Sequence, residues 1–279
     1  MVAIVAVGDN VVDCYPALHM MFPGGNSLNV SVFARRAGAA ATYIGSIAPD
    51  AAGDHIRAAL SEEGVNVARL RTTTAGDTAY CIIGHRDGDR VFLHFDLGVS
   101  RFEPDEGDLE HIGRQDAVHV SQSSGLDHRL AGFARRARLS YDFSTRRDAA
   151  HLTDIAPHCF LASFSGSELG PAQADELAAA AHRAGAEWAL VTRGERGAML
   201  VGRGRSHSVP AVRCDVVDTL GAGDTVIARV LVGLVGGEDP AVTLTDAVSR
   251  AADTCTRQGA FGHAAALPDD LALFPPFPS

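Results

Sequence analysis

Short apolar runs alternate with longer stretches whose apolar residues recur every three or four positions, and this rhythm covers most of the chain. Residues 2–7 are apolar throughout, which predicts a strand buried on both faces, stopped by Gly8-Asp9-Asn10. Residues 27–38 carry apolar side chains at 28, 30, 32, 33 and 37, which predicts a helix with Ser27 as its N-cap. A strand at 41–45 and a helix at 51–63, ended by Gly64, follow. Further on, strands are predicted at 117–120, 139–143, 159–162, 188–192 and 198–201. Helices are predicted at 126–137, at 171–184 with Pro171 in the first turn, at 223–235 and at 243–257. Residues 11–23, which include Pro16 and Pro23, read as irregular chain, and so does the stretch from 267 to 279.

One region breaks the rhythm. Residues 78–84 and 90–96 are strand-like and flank Asp87-Gly88, a strong hairpin signal. A hairpin inserted in a strand–helix alternation belongs outside the main sheet, with segment 11–23 as its neighbour. Period-two alternation puts Val91, Leu93 and Phe95 on one face of this hairpin, which together with Ile82 calls for a covering surface. The expectation is an α/β three-layer sandwich with a mainly parallel central sheet and a small β lid. It is one domain, 1–279, with lid segments at about 11–23 and 78–96.

Composition narrows the function. The formal charge of -10 argues against nucleic acid as a partner. All 24 basic side chains are arginine, so a Walker P-loop, which needs a lysine, is excluded. The five cysteines are odd in number and never in a CxxC pair, which suits free thiols in a reducing compartment. Residues 1–9 read as a first strand and not as a signal peptide, and no apolar run approaches the ~18 residues of a membrane span. The expectation is a cytoplasmic protein with no membrane partner. Its 12 histidines form no ligand set and read as surface or core residues.

The chemistry concentrates in Asp218-Thr-Leu-Gly221-Ala222-Gly223-Asp224, just before an apolar helix. Small residues let backbone N–H groups converge on an anion, and the following helix aims its unpaired N–H groups at the same spot. A carboxylate beside an anion site has an evident task, which is to take a proton from an attacking hydroxyl. That combination points to phosphoryl transfer. Gly24-Gly25-Asn26-x-x-Asn29 opens the first helix, with both amides one turn apart on one face. The plain alternative is an ordinary loop-to-helix turn. Asp9, Asn10 and Asp13 follow the first strand, where open α/β sheets gather ligands, though turn roles explain them as well.

These residues resemble the two signatures of the PfkB, or ribokinase-type, sugar kinases: Gly24-Gly25-Asn26-x-x-Asn29 is similar to the first and Asp218 to Asp224 to the second. A closer likeness, to the fructoselysine 6-kinases within that family, rests on residues 8–16, Asp89 to Phe92, Gly98-Val99 and Tyr141 to Ser144. The resemblance implies ATP-dependent phosphorylation of a sugar primary hydroxyl, here the 6-hydroxyl of a fructosamine such as fructoselysine. It implies Asp224 as general base and Gly221, Ala222 and Gly223 as an anion hole. Asn10, Asp13, Gly24, Gly25, Asn26, Asn29 and Arg90 fall to the substrate, with Asp96 a further acidic candidate for its cationic nitrogen. Thr192, Gly194, Gly197, Ser165 and Asp218 fall to ATP. Glu168 falls to Mg2+, which arrives with the nucleotide. A homodimer through the lids is implied too. Two other readings stay open: a kinase of another sugar, a sugar acid or a nucleoside, and a sugar-binding protein without turnover. Departures from the family are Ser165 in Ser165-x-x-Glu168, where asparagine is usual, Thr225 in place of alanine, and the charged Arg229.

Overall fold

A computed structural model describes residues 1–86 and 89–268, with only the backbone of 85, 86 and 89–92. The Asp87-Gly88 turn and the tail from 269 therefore lie outside the described residues. The strands are β1 Ala3–Val7, β2 Val11–Tyr15, β3 Met20–Gly24, β4 Ala40–Ile47, β5 Asn66–Thr72, β6 Tyr80–Arg86, β7 Asp89–Asp96, β8 Ala117–Ser121, β9 Arg138–Asp142, β10 Cys159–Ser165, β11 Trp188–Thr192, β12 Ala198–Gly202, β13 Arg205–Val209 and β14 Ala265–Ala266. The helices are α1 Asn26–Arg36, α2 Ala51–Glu62, α3 Glu106–Ile112, α4 Leu130–Ala134, α5 Ala149–Ile155, α6 Pro171–Arg183, α7 Ala222–Val235 and α8 Pro240–Cys255.

The large sheet runs β13-β12-β11-β10-β9-β8-β1-β4-β5, parallel except where β12 pairs with β11 and β13. Strand β1 shows why both faces are covered. Successive side chains point to opposite faces, and Ile4 and Ala6 pack with α1, α2, α7 and α8 while Val5 and Val7 pack with α3 to α6. The result is helix, sheet, helix. The chain leaves β1 for β4 on one side and later returns to β8 on the other. That reversal of strand order opens a crevice at the carboxyl end of β1, where ligands bind in such sheets.

The smaller sheet runs β14-β3-β2-β6-β7. Segment 11–23 is not irregular. It forms β2 and β3, paired antiparallel from Val11↔Gly24 to Tyr15↔Met20, and Pro16 opens a 3-10 turn between them. Pro23 sits opposite Val12, so the prolines shape the strand ends without preventing pairing. The hairpin's face pattern also differs from strict alternation. The register slips between Ile82↔His94 and Ile83↔Phe92, so the ladder carries one extra residue at Leu93. Leu93 is half-buried against the core, whereas Phe95 is 64% exposed. The side chain of Val91 lies outside the described residues.

Two helix starts differ from the sequence expectation. Gly25, not Ser27, is the N-cap of α1, and Ser27 is buried inside the helix. Helix α8 begins at Pro240 because Asp239 caps it, accepting from the Ala241 and Val242 N–H groups. The stretch read as one helix, 126–137, is a 3-10 turn followed by the short α4, neither with a side-chain cap.

Candidate active site

The crevice collects polar side chains from five strand ends. Asp9 follows β1, Ser121 ends β8, Asp142 ends β9, Ser165 ends β10 and Thr192 ends β11. Facing them are the N-termini of α1 and α7. No side chain of α1 supplies its cap; Asp9 does so from across the crevice. Its carboxylate accepts from the Asn26 N–H (2.8 Å), the Ser27 hydroxyl (2.9 Å), the Ser121 hydroxyl (2.6 Å) and the Ser124 hydroxyl (2.9 Å). Charge at this end also suits the helix dipole. Gly25 has φ +106°, and a Cβ there would lie 2.7 Å from the Asn10 Cα, so only glycine lets the chain turn here.

Helix α7 starts from Gly221 in the left-handed region, φ +78°, against Ala260, with no side chain as cap. The Ala222 N–H donates to the Thr219 carbonyl (3.3 Å), whereas the first-turn N–H groups of Gly223 and Asp224 have no backbone partner one turn back. Asp224 sits on this first turn. Its Oδ1 accepts from the Asn26 amide at 2.8 Å and its Oδ2 from the Asn29 amide at 2.7 Å. The Asn26 nitrogen also donates to Asp142 Oδ2 at 2.9 Å, so one NH2 group joins two carboxylates. Since that nitrogen only donates, Asn26 Oδ1 must accept, and His119 Nε2 lies 2.8 Å from it. His119 therefore carries its proton on Nε2, and Nδ1 accepts from the Ser140 hydroxyl at 2.9 Å.

Burial dominates the electrostatics. It pushes the Asp224 carboxyl up to about 8, with the negative Asp142 and Asp9 adding to the rise and the Asn29 and Asn26 amides opposing it. Asp142 is pushed up to about 6, again by burial first. Full burial lowers His119 to about 3, so it is neutral at pH 7.

Two cavities meet beside Asp224. One of about 520 Å³ is lined by Asn26, Asp142, Ser144, Gly221 and Asp224 among others. The second, about 970 Å³, is walled by apolar residues such as Val212, Val216, Val226 and Val248, with Gly194, Gly197 and Ala222. Ser165, Thr192 and Gly223 line both, so a ligand with an apolar head and a polar chain could run from one to the other.

Most residues expected to act gather here. Asn26, Asn29, Gly221, Ala222, Gly223 and Asp224 converge, and Ser165, Thr192, Gly194 and Gly197 line the cavities. Asp13, on β2, lays its carboxylate over Gly24: a Cβ at Gly24 would lie 2.1 Å from Asp13 Oδ2. Asn10 points inward, donating to the Tyr43 hydroxyl (3.0 Å) and the Ser46 carbonyl (2.9 Å). Asp218 is not a wall of either cavity; it accepts from the Tyr15 hydroxyl (2.6 Å), the Leu220 N–H (3.0 Å) and the Gly259 N–H (3.1 Å). Glu168 is exposed and paired with Arg147 (2.5 Å), whose guanidinium also donates to the Ser165 carbonyl. Asp96 accepts from the Gly98 N–H in an exposed turn. The Arg90 side chain lies outside the described residues. No group of three His, Cys, Asp or Glu side chains converges as a metal site among the described residues.

A family model described as pfkB family carbohydrate kinase matches residues 19–264. The chain belongs to that family. Membership makes it an ATP-dependent sugar kinase. The Bacillus subtilis (strain 168) protein called fructosamine kinase FrlD is 37% identical over 264 residues, 93% of this chain and 93% of its own length. The Escherichia coli (strain K12) fructoselysine 6-kinase is 29% identical over 263 residues, 94% of this chain and 100% of its own. A solved Arabidopsis thaliana ribokinase, at 19% identity, superposes with a TM-score of 0.81 over 99% of this chain and 100% of that one, a likeness of fold.

Sequence reasoning missed His119 and the partnership of Asp142 with Asp224. Asp142 did lie within the Tyr141 to Ser144 segment that resembles the fructoselysine kinases, so a signal existed. His119 sits in a strand, and nothing local marks it as anything but a core residue. The two family departures on α7 are explained by packing. The Thr225 hydroxyl bonds the Gly221 carbonyl and Thr254, each at 2.9 Å, and Arg229 pairs with Glu238 and Asp246.

Proposed function

We propose that this kinase phosphorylates the 6-hydroxyl of a fructosamine such as fructoselysine, with Asp224 as general base. The observation that carries the reading is the Asp224 carboxylate, fixed by Asn26 and Asn29 at the start of a helix with open N–H groups. The hydroxyl proton passes to Asp224, the oxygen bonds the γ-phosphorus of ATP, and the bridging bond to the β-phosphate breaks to leave ADP. The N–H groups of Gly221, Ala222 and Gly223 take up the negative charge that moves across. Asn26, Asn29 and Asp13 hold the sugar beside Gly24 and Gly25, and recognition of the substrate's carboxylate is the role assigned to Arg90. Asn10 supports the loop from behind. Thr192, Gly194 and Gly197 line the nucleotide cavity with Ser165, and Asp218 braces the turn before α7.

Mg2+ bound to the phosphates would offset their charge. One exposed, arginine-paired carboxylate fits an outer contact to such an ion through water, and that is the role assigned to Glu168. The smaller sheet serves as a lid on a single kinase domain, excluding water as a competing acceptor. Exposed Phe95, Met20 and Leu18 give that lid a surface for a second copy of the chain. Cytoplasmic location suits an enzyme that uses ATP.

The test is a substrate panel of fructoselysine, glucoselysine, fructose and ribose, with the product's phosphate position assigned by NMR. Fructoselysine should exceed fructose in kcat/KM by far more than one weak contact allows. Comparable values would remove the fructosamine assignment. Sedimentation showing a strict monomer at high concentration would remove the lid dimer.

A further inference from the structure

Asp224 is not alone on its wall of the crevice. Asp142 is buried at the end of β9, lines the same cavity and accepts from the same amide nitrogen, at 2.9 Å against 2.8 Å for Asp224. Its other oxygen is taken by the Ser144 N–H and the Ser163 hydroxyl, each at 3.1 Å. The carboxylate is thus fixed on both sides. Behind the amide, His119 has nothing titratable to do. It is fully buried and its one ring proton is committed to Asn26 Oδ1. That bond decides which way the Asn26 amide faces. Turned over, the amide would present its oxygen to two carboxylates.

We propose that Asp142 is a positioning residue for phosphoryl transfer: through the Asn26 amide, which His119 orients, it fixes the Asp224 carboxylate and places a second negative charge on the same wall. The inference rests on the reading of Asp224 as the base. Among the described residues, the charges acting on Asp224 are Asp142 on β9 and Asp9 after β1, with His119 on β8 behind the Asn26 amide and Asp13 over Gly24 on β2. No arginine lines this cavity among the described residues. A like charge favours the protonated carboxyl, so Asp142 makes Asp224 a stronger base.

Asp142→Asn removes the charge and keeps one acceptor oxygen, for which the Asn26 amide and the Ser144 N–H compete. The experiment records kcat and kcat/KM against pH for wild type, Asp142→Asn and Asp224→Asn with one sugar substrate at saturating ATP, and the KM for ATP in a second series with ATP varied. Near-normal turnover by Asp224→Asn would defeat the base assignment itself. With that variant inactive, the acidic limb of Asp142→Asn should move to lower pH by about 0.5–1 unit, while the KM for ATP stays near wild type. An unmoved limb would overturn the inference, whatever happens to kcat. His119 gives an independent arm. His119→Gln retains a side-chain N–H for Asn26 Oδ1, and His119→Leu does not. The Gln variant should keep at least tenfold more kcat than the Leu variant; equal kcat in two folded proteins would overturn the orienting role.

Discussion

Replacing Asp224 by asparagine should make the protein more stable as well as inactive, and the gain should depend on pH. The fold holds the Asp224 carboxyl at about 8, against an ordinary 3.8, chiefly by burial. A raised value means that the folded state prefers the protonated form. Its contribution is favourable below the unfolded value and is lost as pH rises from about 4 through about 8. Each pH unit of that window is worth about 1.36 kcal/mol, which sets a ceiling of about 4 kcal/mol lost by pH 7. The carboxylate borders an open cavity, so water screens part of this, and about 1–3 kcal/mol is the expected difference. Asparagine carries no charge to desolvate. It also fits the donors around it: Asn29 Oδ1 is buried without a hydrogen-bond partner, so turning the Asn29 amide gives the new Nδ2 an acceptor. Urea unfolding at pH 5, 7 and 8.5 measures the effect, with turnover on the same samples. Turnover should fall by ~10²–10⁴, as for loss of a general base. The stability difference should be small at pH 5 and widen toward pH 8.5. A variant less stable than wild type at every pH, or a difference that does not vary with pH, would refute the claim that burial strains this carboxylate.

Gly25→Ala should destabilise the chain by about 2 kcal/mol or more, because φ +106° and the nearby Asn10 backbone leave no room for a methyl group; an unchanged thermal midpoint would contradict this. Arg229→Leu should cost about 1–3 kcal/mol in urea unfolding by leaving Glu238 without its cation and Asp246 with Arg250 alone, a loss moderated because both acids are over a third exposed. The KM for ATP should stay constant in that variant. Tyr15→Phe should cost about 1–2 kcal/mol, since Asp218 loses a 2.6 Å donor but keeps the N–H groups of Leu220 and Gly259. Differential scanning calorimetry showing no shift for Tyr15→Phe would count against that bond.

Local signals carried the parallel core and the two glycine signatures, because apolar runs and Gly–Asp punctuation are properties of neighbouring residues. What escaped was non-local. Strands β2 and β3 were hidden by Pro16 and Pro23, whose cost is small at strand ends, and their pairing supplies the order. Strand β5 has only Leu70 buried, and β13 is a largely polar edge, so neither has the apolar run that marks a central strand. At the site, Asp9 could be placed after the first strand but not identified as the cap of α1, since most of its partners lie 17 to 115 residues away. His119 reaches Asn26 across 93 residues and Asn26 reaches Asp142 across 116, distances no window of sequence covers. Asp218 was legible as part of a motif, yet its bond to Tyr15 spans 203 positions and ties it to the smaller sheet.

The two bonds that hold Asp224 close loops of 195 and 198 residues. With Asp224 as the proposed base, catalytic competence is a property of the finished topology and of no subset of it. A refolding chain can complete β1, β4 and most of the parallel ladder, and regain nearly all its circular dichroism, while the carboxylate still waits for α1 to dock on α7. Entropy makes such long closures late events. The same geometry exposes the enzyme to slow loss of activity without unfolding: a slight separation of those two helices disarms it while leaving every strand of the large sheet paired.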